Sequence, residues 1–363
     1  IGNRIGMMMQ AGGFLPEGNT PSDIGAVVQV ACLAHDLGNP PFGHTGEDAL
    51  RHWFRNPQNG KYLQGLSQAE RNDVQTYEGN AHSLRILASL EMYPNGGGMR
   101  LTSATIGALL KYPWTTLHEN GLKKFNIYQT ELPFIRRVAD ELGLIELGAD
   151  YWARHPLSYL MEAADDICYA LLDLEDAVEL DLLSDAEVES ILSELTFIEP
   201  TWHAQSGRQR CAMLRGIAIG RAIEDVAQTF MMHQSDLLAG CFKGKDLLAL
   251  CSPAVQNTLE KAKELARTRI FRHRTKLMTE IATFPCLGSI LDLLVPAAYA
   301  MIAQKQVDVR QSLALDLLKN HDPIQETDSL YRAYMKILDF VGGMTDNAAA
   351  KMAQDLSGVG ILR

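Results

Sequence analysis

Apolar residues recur at a helical period along nearly the whole chain, and this limits the fold more than any single motif. Ile24, Val27, Val28 and Ala31 share one face, Leu84, Leu87 and Leu90 a second, and Leu160, Ala164, Ile167, Leu171, Leu174 and Val178 a third. Steps of three and four residues return to the same side of a helix, whereas a half-buried strand alternates at every second residue. Strand-like alternation is confined to short pieces near Phe125 to Tyr128. The pattern predicts an all-α protein. Helix ends are expected at Leu37-Gly38-Asn39-Pro40-Pro41, at Tyr93-Pro94-Asn95-Gly96-Gly97-Gly98 and at Tyr112-Pro113, because Gly and Pro terminate helical backbone. Ile1, Ile5, Met8 and Met9 already follow the period with no N-cap residue before them, so the sequence is expected to open inside a helix.

With 363 residues, 47% of them hydrophobic, the chain has material for one large core or two smaller ones, and disorder is excluded as its main state. No run approaches the roughly 18 consecutive apolar residues of a membrane span, and residues 1–20 lack a basic stretch followed by an apolar one. A cytoplasmic protein with no membrane partner is expected. Six cysteines, at 32, 168, 211, 241, 251 and 286, are scattered without a C-x-x-C pair, which argues against a disulfide-stapled or zinc-ribbon module and fits a reducing compartment. The net charge of −11 argues against a protein that coats nucleic acid through its overall charge. That acidity is local: residues 161–200 hold 13 Asp and Glu with no Lys or Arg, so the remainder sums to +2. A soft boundary at Ile198-Glu199-Pro200 divides a core at 1–200 from a C-terminal helical region at 201–363, packed on it.

The densest polar cluster in an apolar setting runs from Ala34 to Glu47, Ala34-His35-Asp36-Leu37-Gly38-Asn39-Pro40-Pro41-Phe42-Gly43-His44-Thr45-Gly46-Glu47. A buried helix leads into two adjacent metal-type ligands, a borderline nitrogen and a hard oxygen, a mixture suited to Mn, Fe, Mg or Zn with positions left open for water or phosphate oxygens. The Gly-Pro-Pro turn then redirects the chain so that His44 and Glu47, three apart at the next helix start, face the same place. The dipeptide alone says little, since His321-Asp322 repeats it in an expected loop before Pro323.

The second candidate stretch runs from Met161 to Asp176. Asp165, Tyr169 and Asp173 are four apart, so on a helix they fall within a wedge of about 80°. An acidic helix commonly turns such a face to solvent. Asp165, however, follows two alanines on a strongly apolar helix, where an unpaired carboxylate is costly without a cation.

With these residues in view, the chain resembles the HD-domain deoxynucleoside triphosphate triphosphohydrolases, in their bacterial dGTPase branch. The matching stretches are Ala31 to Glu47, Glu78-Gly79-Asn80-Ala81, Leu101-Thr102 through Lys111-Tyr112, Glu162 to Ile167 with Asp173 to Ala177, and Gly342-Gly343-Met344-Thr345-Asp346. They occur in the family's order. The resemblance implies an HD-type catalytic core at 1–200 and a C-terminal region contributing oligomer or effector contacts. It implies a divalent metal, Mn or Mg on ligand hardness, held by His35, Asp36 and Asp165. It also implies a catalytic pair in His44 and Glu47, triphosphate-binding Lys111 and Lys124, and an active-site Asn80. Tyr169 and Asp173 match the sugar-facing pair, the phenol on the deoxyribose and the carboxylate on its 3′-hydroxyl. Hydrolysis of a deoxynucleoside triphosphate, dGTP foremost, to the nucleoside and inorganic triphosphate is the implied reaction, by a homo-oligomer, commonly a hexamer. The family pattern has a further histidine upstream of the His-Asp pair. No His precedes His35, so that ligand, and the first part of its helix, are expected to lie before Ile1.

Other readings stay open. Asn80 fits a helix N-cap, Lys111 and Lys124 fit ordinary surface lysines, and His82 receives no role. Another HD phosphohydrolase, acting on nucleoside monophosphates or cyclic dinucleotides, would share the core ligands. A non-catalytic sensor would keep the fold and bind an allosteric nucleotide or single-stranded DNA. For the sensor stand two basic runs, Lys261, Lys263, Arg267, Arg269, Arg272, Arg274 and Lys276 against Glu264 alone, and four Arg without an acid in 207–221.

Overall fold

A computed structural model describes residues 1–92, 98–179, 182–196, 206–270 and 274–358. The helix end expected at Tyr93 to Gly97, the boundary at Ile198 to Pro200, and Arg272 lie outside these residues. The chain is built from helices, as its periodicity requires. In order they are α1 (Gly2–Ala11), α2 (Pro21–Ala34), α3 (Gly43–Arg55), α4 (Gln68–Gln75), α5 (Gly79–Arg85), α6 (Ser103–Leu109) and α7 (Leu132–Leu142). After the only strands among the described residues, β1 (Glu146–Gly148) and β2 (Tyr151–Trp152), come α8 (Pro156–Glu179), α9 (Asp185–Leu192), α10 (Gly207–Met232), α11 (Gln234–Leu238) and α12 (Pro253–Leu265). The last are α13 (Arg274–Tyr299), α14 (Val309–Asp316), α15 (Leu330–Gly342) and α16 (Asp346–Leu356). Near Phe125 to Tyr128 the expected extended piece contributes a bridge, Ile127 beside Thr115.

The helices gather their apolar faces into three clusters. The first joins α1, α2, α8, α9, α10 and α12. The second joins α3 and α4 to α13, α14, α15 and α16. The third is smaller and joins the C-terminal end of α2 to α5, α6, α7 and Trp152. Helices beyond residue 200 therefore divide between two clusters, each shared with N-terminal helices. The stretch Lys276–Gln304 holds an 18-residue window of mean hydropathy 1.8 and is long and apolar enough to cross a membrane by composition. Here it is the centre of the second cluster, with Leu287, Ile290, Leu291, Leu294 and Val295 fully buried. Its one carboxylate within that buried run, Asp292, accepts the indole N–H of Trp53 at 2.7 Å.

Local signals fix the ends that matter for the site. α2 opens with Pro21 at its first position and a reciprocal Thr20–Asp23 cap. It stops at Ala34, so His35 and Asp36 stand at its C-terminal end. α3 starts after Phe42, whose φ of 66° is left-handed, followed by Gly43 at 57°. A non-glycine residue in that region is strained by about 1–2 kcal/mol, and the Phe42 N–H is held by the Asp346 carboxylate at 2.8 Å.

Candidate active site

The site forms where the three clusters meet: α2 delivers His35 and Asp36, α3 delivers His44 and Glu47, α5 delivers Asn80, and α8 delivers Asp165. One donor atom from each of His35, Asp36 and Asp165 lies within 4.8 Å of the other two. His35 Nε2 is 3.3 Å from Asp165 Oδ1 and 3.4 Å from Asp36 Oδ1. Its Nδ1 lies 2.7 Å from the Cys32 carbonyl, to which it donates, and this leaves Nε2 with its lone pair toward the carboxylates. Burial works against a charge on His35, but Asp165 and Asp36 raise the imidazole above its ordinary value. Burial likewise works against the Asp165 carboxylate, which His35, Lys111 and Lys263 hold below the usual range. The field that favours a proton on His35 is a field that favours any cation there. Two carboxylates and one nitrogen with its tautomer fixed fit a divalent ion, and no other His, Cys, Asp or Glu among the described residues joins them.

The loop after His35 is pinned from behind. The Ser83 hydroxyl donates to the His35 carbonyl at 2.6 Å and accepts the Gly38 N–H at 2.8 Å. A Cβ on Gly38 would come within 2.1 Å of the Ser83 amide nitrogen, so only glycine permits this approach. Tyr77 donates its hydroxyl to the Gly38 carbonyl at 2.9 Å. Asn39 turns its amide to Asp36 at 3.0 Å.

The expected His44–Glu47 pair is formed, with Nδ1 3.3 Å from Oε2. The His44 side chain is 83% exposed while that of Glu47 is 3% exposed, so the ring reaches outward from a buried anchor. Glu47, bonded to the ring, raises the imidazole above its ordinary value and outweighs partial burial. Glu47 itself is pushed up by burial but held down by His44, Lys124, Arg51 and the Gly79 amide, with a net lowering. That amide donates to Oε1 at 2.6 Å.

The lysines are not ordinary surface groups. Lys124 Nζ sits 2.9 Å from Glu78 Oε2 and 3.9 Å from Glu47 Oε2. Lys111 Nζ sits 3.2 Å from Glu162 Oε1, whose other oxygen takes Arg154 at 2.8 Å. Burial opposes the Lys111 charge, but Glu162 more than offsets this and the pKa is raised. Burial raises the Tyr112 hydroxyl above its ordinary value, and Lys111, Glu162, Lys124 and Glu78 all lie near enough to act on it. Asn80 does not cap its helix. The cap is Glu78, which accepts the Asn80 backbone N–H and, at 2.7 Å, its side-chain amide. Tyr169 and Asp173 continue the Asp165 face one and two turns along α8. Tyr169 is 53% exposed, and Asp173 Oδ2 is buried with no hydrogen-bond partner among the described residues.

Four residues were not singled out by sequence: Glu78, Arg51, Glu162 and Arg154. Glu78 is fully buried and receives Lys124, Asn80 and Arg51, the last at 3.2 Å. Glu78 and Glu162 each lay in a matched stretch without a role. Arg51, one turn beyond Glu47, bonds it at 3.3 Å.

The fold and this cluster define a class, an all-α protein with a mixed nitrogen and oxygen site suited to a divalent cation and flanked by half-buried lysines. The chain belongs to the bacterial deoxyguanosinetriphosphate triphosphohydrolase family. A Pseudomonas aeruginosa protein named as deoxyguanosinetriphosphate triphosphohydrolase-like is 42% identical over 99% of this chain and 82% of its own length. A Synechocystis protein of the same name is 34% identical over 94% and 79%. A Yersinia pestis protein named deoxyguanosinetriphosphate triphosphohydrolase is 29% identical over 75% and 61%. No protein-family model matches the chain.

Proposed function

We propose that the protein hydrolyses deoxynucleoside triphosphates, dGTP foremost, to the deoxynucleoside and inorganic triphosphate. The observation that carries this reading is the convergence, within one site, of a cation-binding cluster, a buried-anchor histidine and two lysines held by acids. A mononucleotide phosphatase would have no use for a second lysine of this kind. His35, Asp36 and Asp165 would hold Mn or Mg, and the ion, when bound, would neutralise charge developing at the α-phosphorus.

The chain's own groups do the rest. Lys111 and Lys124 exchange their carboxylate partners for phosphate oxygens and orient the tetra-anion. His44, whose hold on a proton Glu47 strengthens, donates from its exposed ring nitrogen to the departing 5′-oxygen as water adds to phosphorus, and the proton that this water gives up restores the imidazolium. Asn80, held by Glu78, presents its amide beside them. Tyr169 stacks on the sugar where a 2′-hydroxyl would clash, and Asp173 accepts from the 3′-hydroxyl. Residues 1–200 supply this catalytic set, and the C-terminal helices brace it and serve oligomer contacts. The exposed Leu277, Met278 and Ile281 of α13 support such an assembly.

Incubating each of the four dNTPs and GTP with the protein and Mn or Mg, and resolving the products, tests the reading. Deoxynucleoside plus intact triphosphate is expected, fastest from dGTP and absent from GTP. Release of orthophosphate or pyrophosphate instead would overturn it.

A further inference from the structure

A second cavity lies behind the lysine wall of the site. It measures about 390 Å³, is partly open to solvent, and is lined by the segment joining α1 to α2, the first turn of α6, the turn after α7 and the ends of α10 and α11. Ile24, Val27, Leu144, Leu157 and Leu237 make it mainly apolar. Asp23, at its edge, is occupied in capping Thr20.

On one wall stand Arg154 and His155. Arg154 has no charge to spare: it bonds Glu162 at 2.8 Å and Ser158 at 3.0 Å, and stacks over Tyr159 with 3.9 Å to the ring centroid. The His155 Nδ1 accepts the Leu157 N–H at 3.2 Å, which places the ring proton on Nε2. Burial lowers His155 to about 4, so the ring is neutral at pH 7. The described residues give its Nε2–H no acceptor. An anion would therefore find no unpaired cation on this wall, whereas a neutral acceptor would satisfy the imidazole.

The same wall reaches Lys111 by two routes. Through side chains, Arg154 holds Glu162, and Glu162 holds Lys111 at 3.2 Å. Through backbone, α6 carries Gly107, where a Cβ would come within 3.0 Å of the His155 ring and 2.7 Å of Leu142, and Lys111 follows four residues later.

We infer that this cavity binds a small, uncharged, mainly apolar molecule bearing one hydrogen-bond acceptor, and that its occupation is positively coupled to anion binding at Lys111. The coupling, unlike the cavity, rests on the role proposed above for Lys111. An occupant packed on this wall steadies Arg154 against Glu162. That weakens the hold of Glu162 on Lys111 and leaves the ammonium freer for phosphate. By reciprocity, phosphate at Lys111 tightens the occupant.

The probe is the uncharged aromatic ketone 6-propionyl-2-dimethylaminonaphthalene, whose emission shifts to the blue in apolar surroundings. Titrated into the whole chain, it is expected to saturate at one site per chain. Saturation should be lost in Ala104→Phe and in Val27→Phe, which fill the cavity from two different helices, and His155→Phe should weaken binding. Absence of saturable emission, or full emission in either filled variant that folds, overturns the site. Inorganic triphosphate should lower the dye Kd about fivefold in the unsubstituted protein and leave it unchanged in Glu162→Gln. An unmoved or raised Kd in the unsubstituted protein overturns the coupling. Should no dNTP be hydrolysed, the proposed function falls, while the dye titration still decides the cavity.

Discussion

His44 takes its chemistry from its neighbours rather than from its own position. Its ring is open to solvent, yet its protonated form is favoured because Glu47 is buried, ionised and fixed by Arg51 and the Gly79 amide. A proton donor with a raised pKa keeps its activity at low pH and loses it as pH rises through that pKa. His44→Ala is expected to abolish turnover while nucleotide binding stays measurable by calorimetry. Glu47→Gln is expected to reduce kcat by about a hundredfold and to move the alkaline limb of the kcat profile to lower pH; a limb left in place would sink the pairing. At this scale the sequence was informative where chemistry sits at local spacing. His35-Asp36, His44 with Glu47, and Asp165 could all be read from separations of one to four residues. Glu78 could not, because its role depends on Lys124 arriving from a loop 46 residues away, and nothing in a one-dimensional string marks a carboxylate as fully buried.

Asp73 on α4 does for the elements what Glu78 does for the side chains. It accepts the Thr116 hydroxyl at 2.6 Å, the Gln129 amide at 2.9 Å and the Tyr331 hydroxyl at 2.6 Å, so one carboxylate ties α4 to the Lys124-bearing loop and to α15. Burial raises it from 3.8 to about 7, against the pull of those three donors. A folded-state pKa above the unfolded one gives stability that is complete below about 4 and lost as pH rises to about 7. At about 1.4 kcal/mol for each pH unit between those two values, the loss is on the order of 4 kcal/mol. Denaturant melts of the unsubstituted protein and Asp73→Asn should diverge across this window, the unsubstituted protein losing the more stability; parallel curves would refute it. The helices themselves were legible from apolar period and caps. α13 was less so, since it runs through Pro285 and Pro296, two residues that read locally as stops. Burial against α3, α14, α15 and α16 overrides the local preference there, and no local rule can anticipate it.

Across the whole molecule the uneven charge finds its counterpart. The acidic stretch on α8 and α9 faces the basic runs of α10 and α12: Arg210 meets Glu189 at 2.8 Å, Lys263 meets Asp166 at 3.3 Å, and Arg215 meets Glu175. Lys261 with Glu194, and Arg269 with Glu187, extend the seam. Cations that read as an open anion site in sequence are thus largely engaged with the chain's own acids, so single-stranded DNA should bind through them weakly. Arg210→Glu should destabilise the fold by about 1–2 kcal/mol and the exchanged pair Arg210→Glu with Glu189→Arg should recover most of that; failure of the exchange to recover would show that the seam carries no specific pairing. One contact spans the molecule further still. The left-handed Phe42, which aims α3 and hence His44, is fastened by Asp346, 304 residues downstream. During synthesis on a ribosome the turn bearing His35 and Asp36 can collapse early, but the Phe42 turn is fastened only when nearly the whole described chain has emerged. A nascent chain therefore lacks the anchor that aims α3 until residue 346 has emerged.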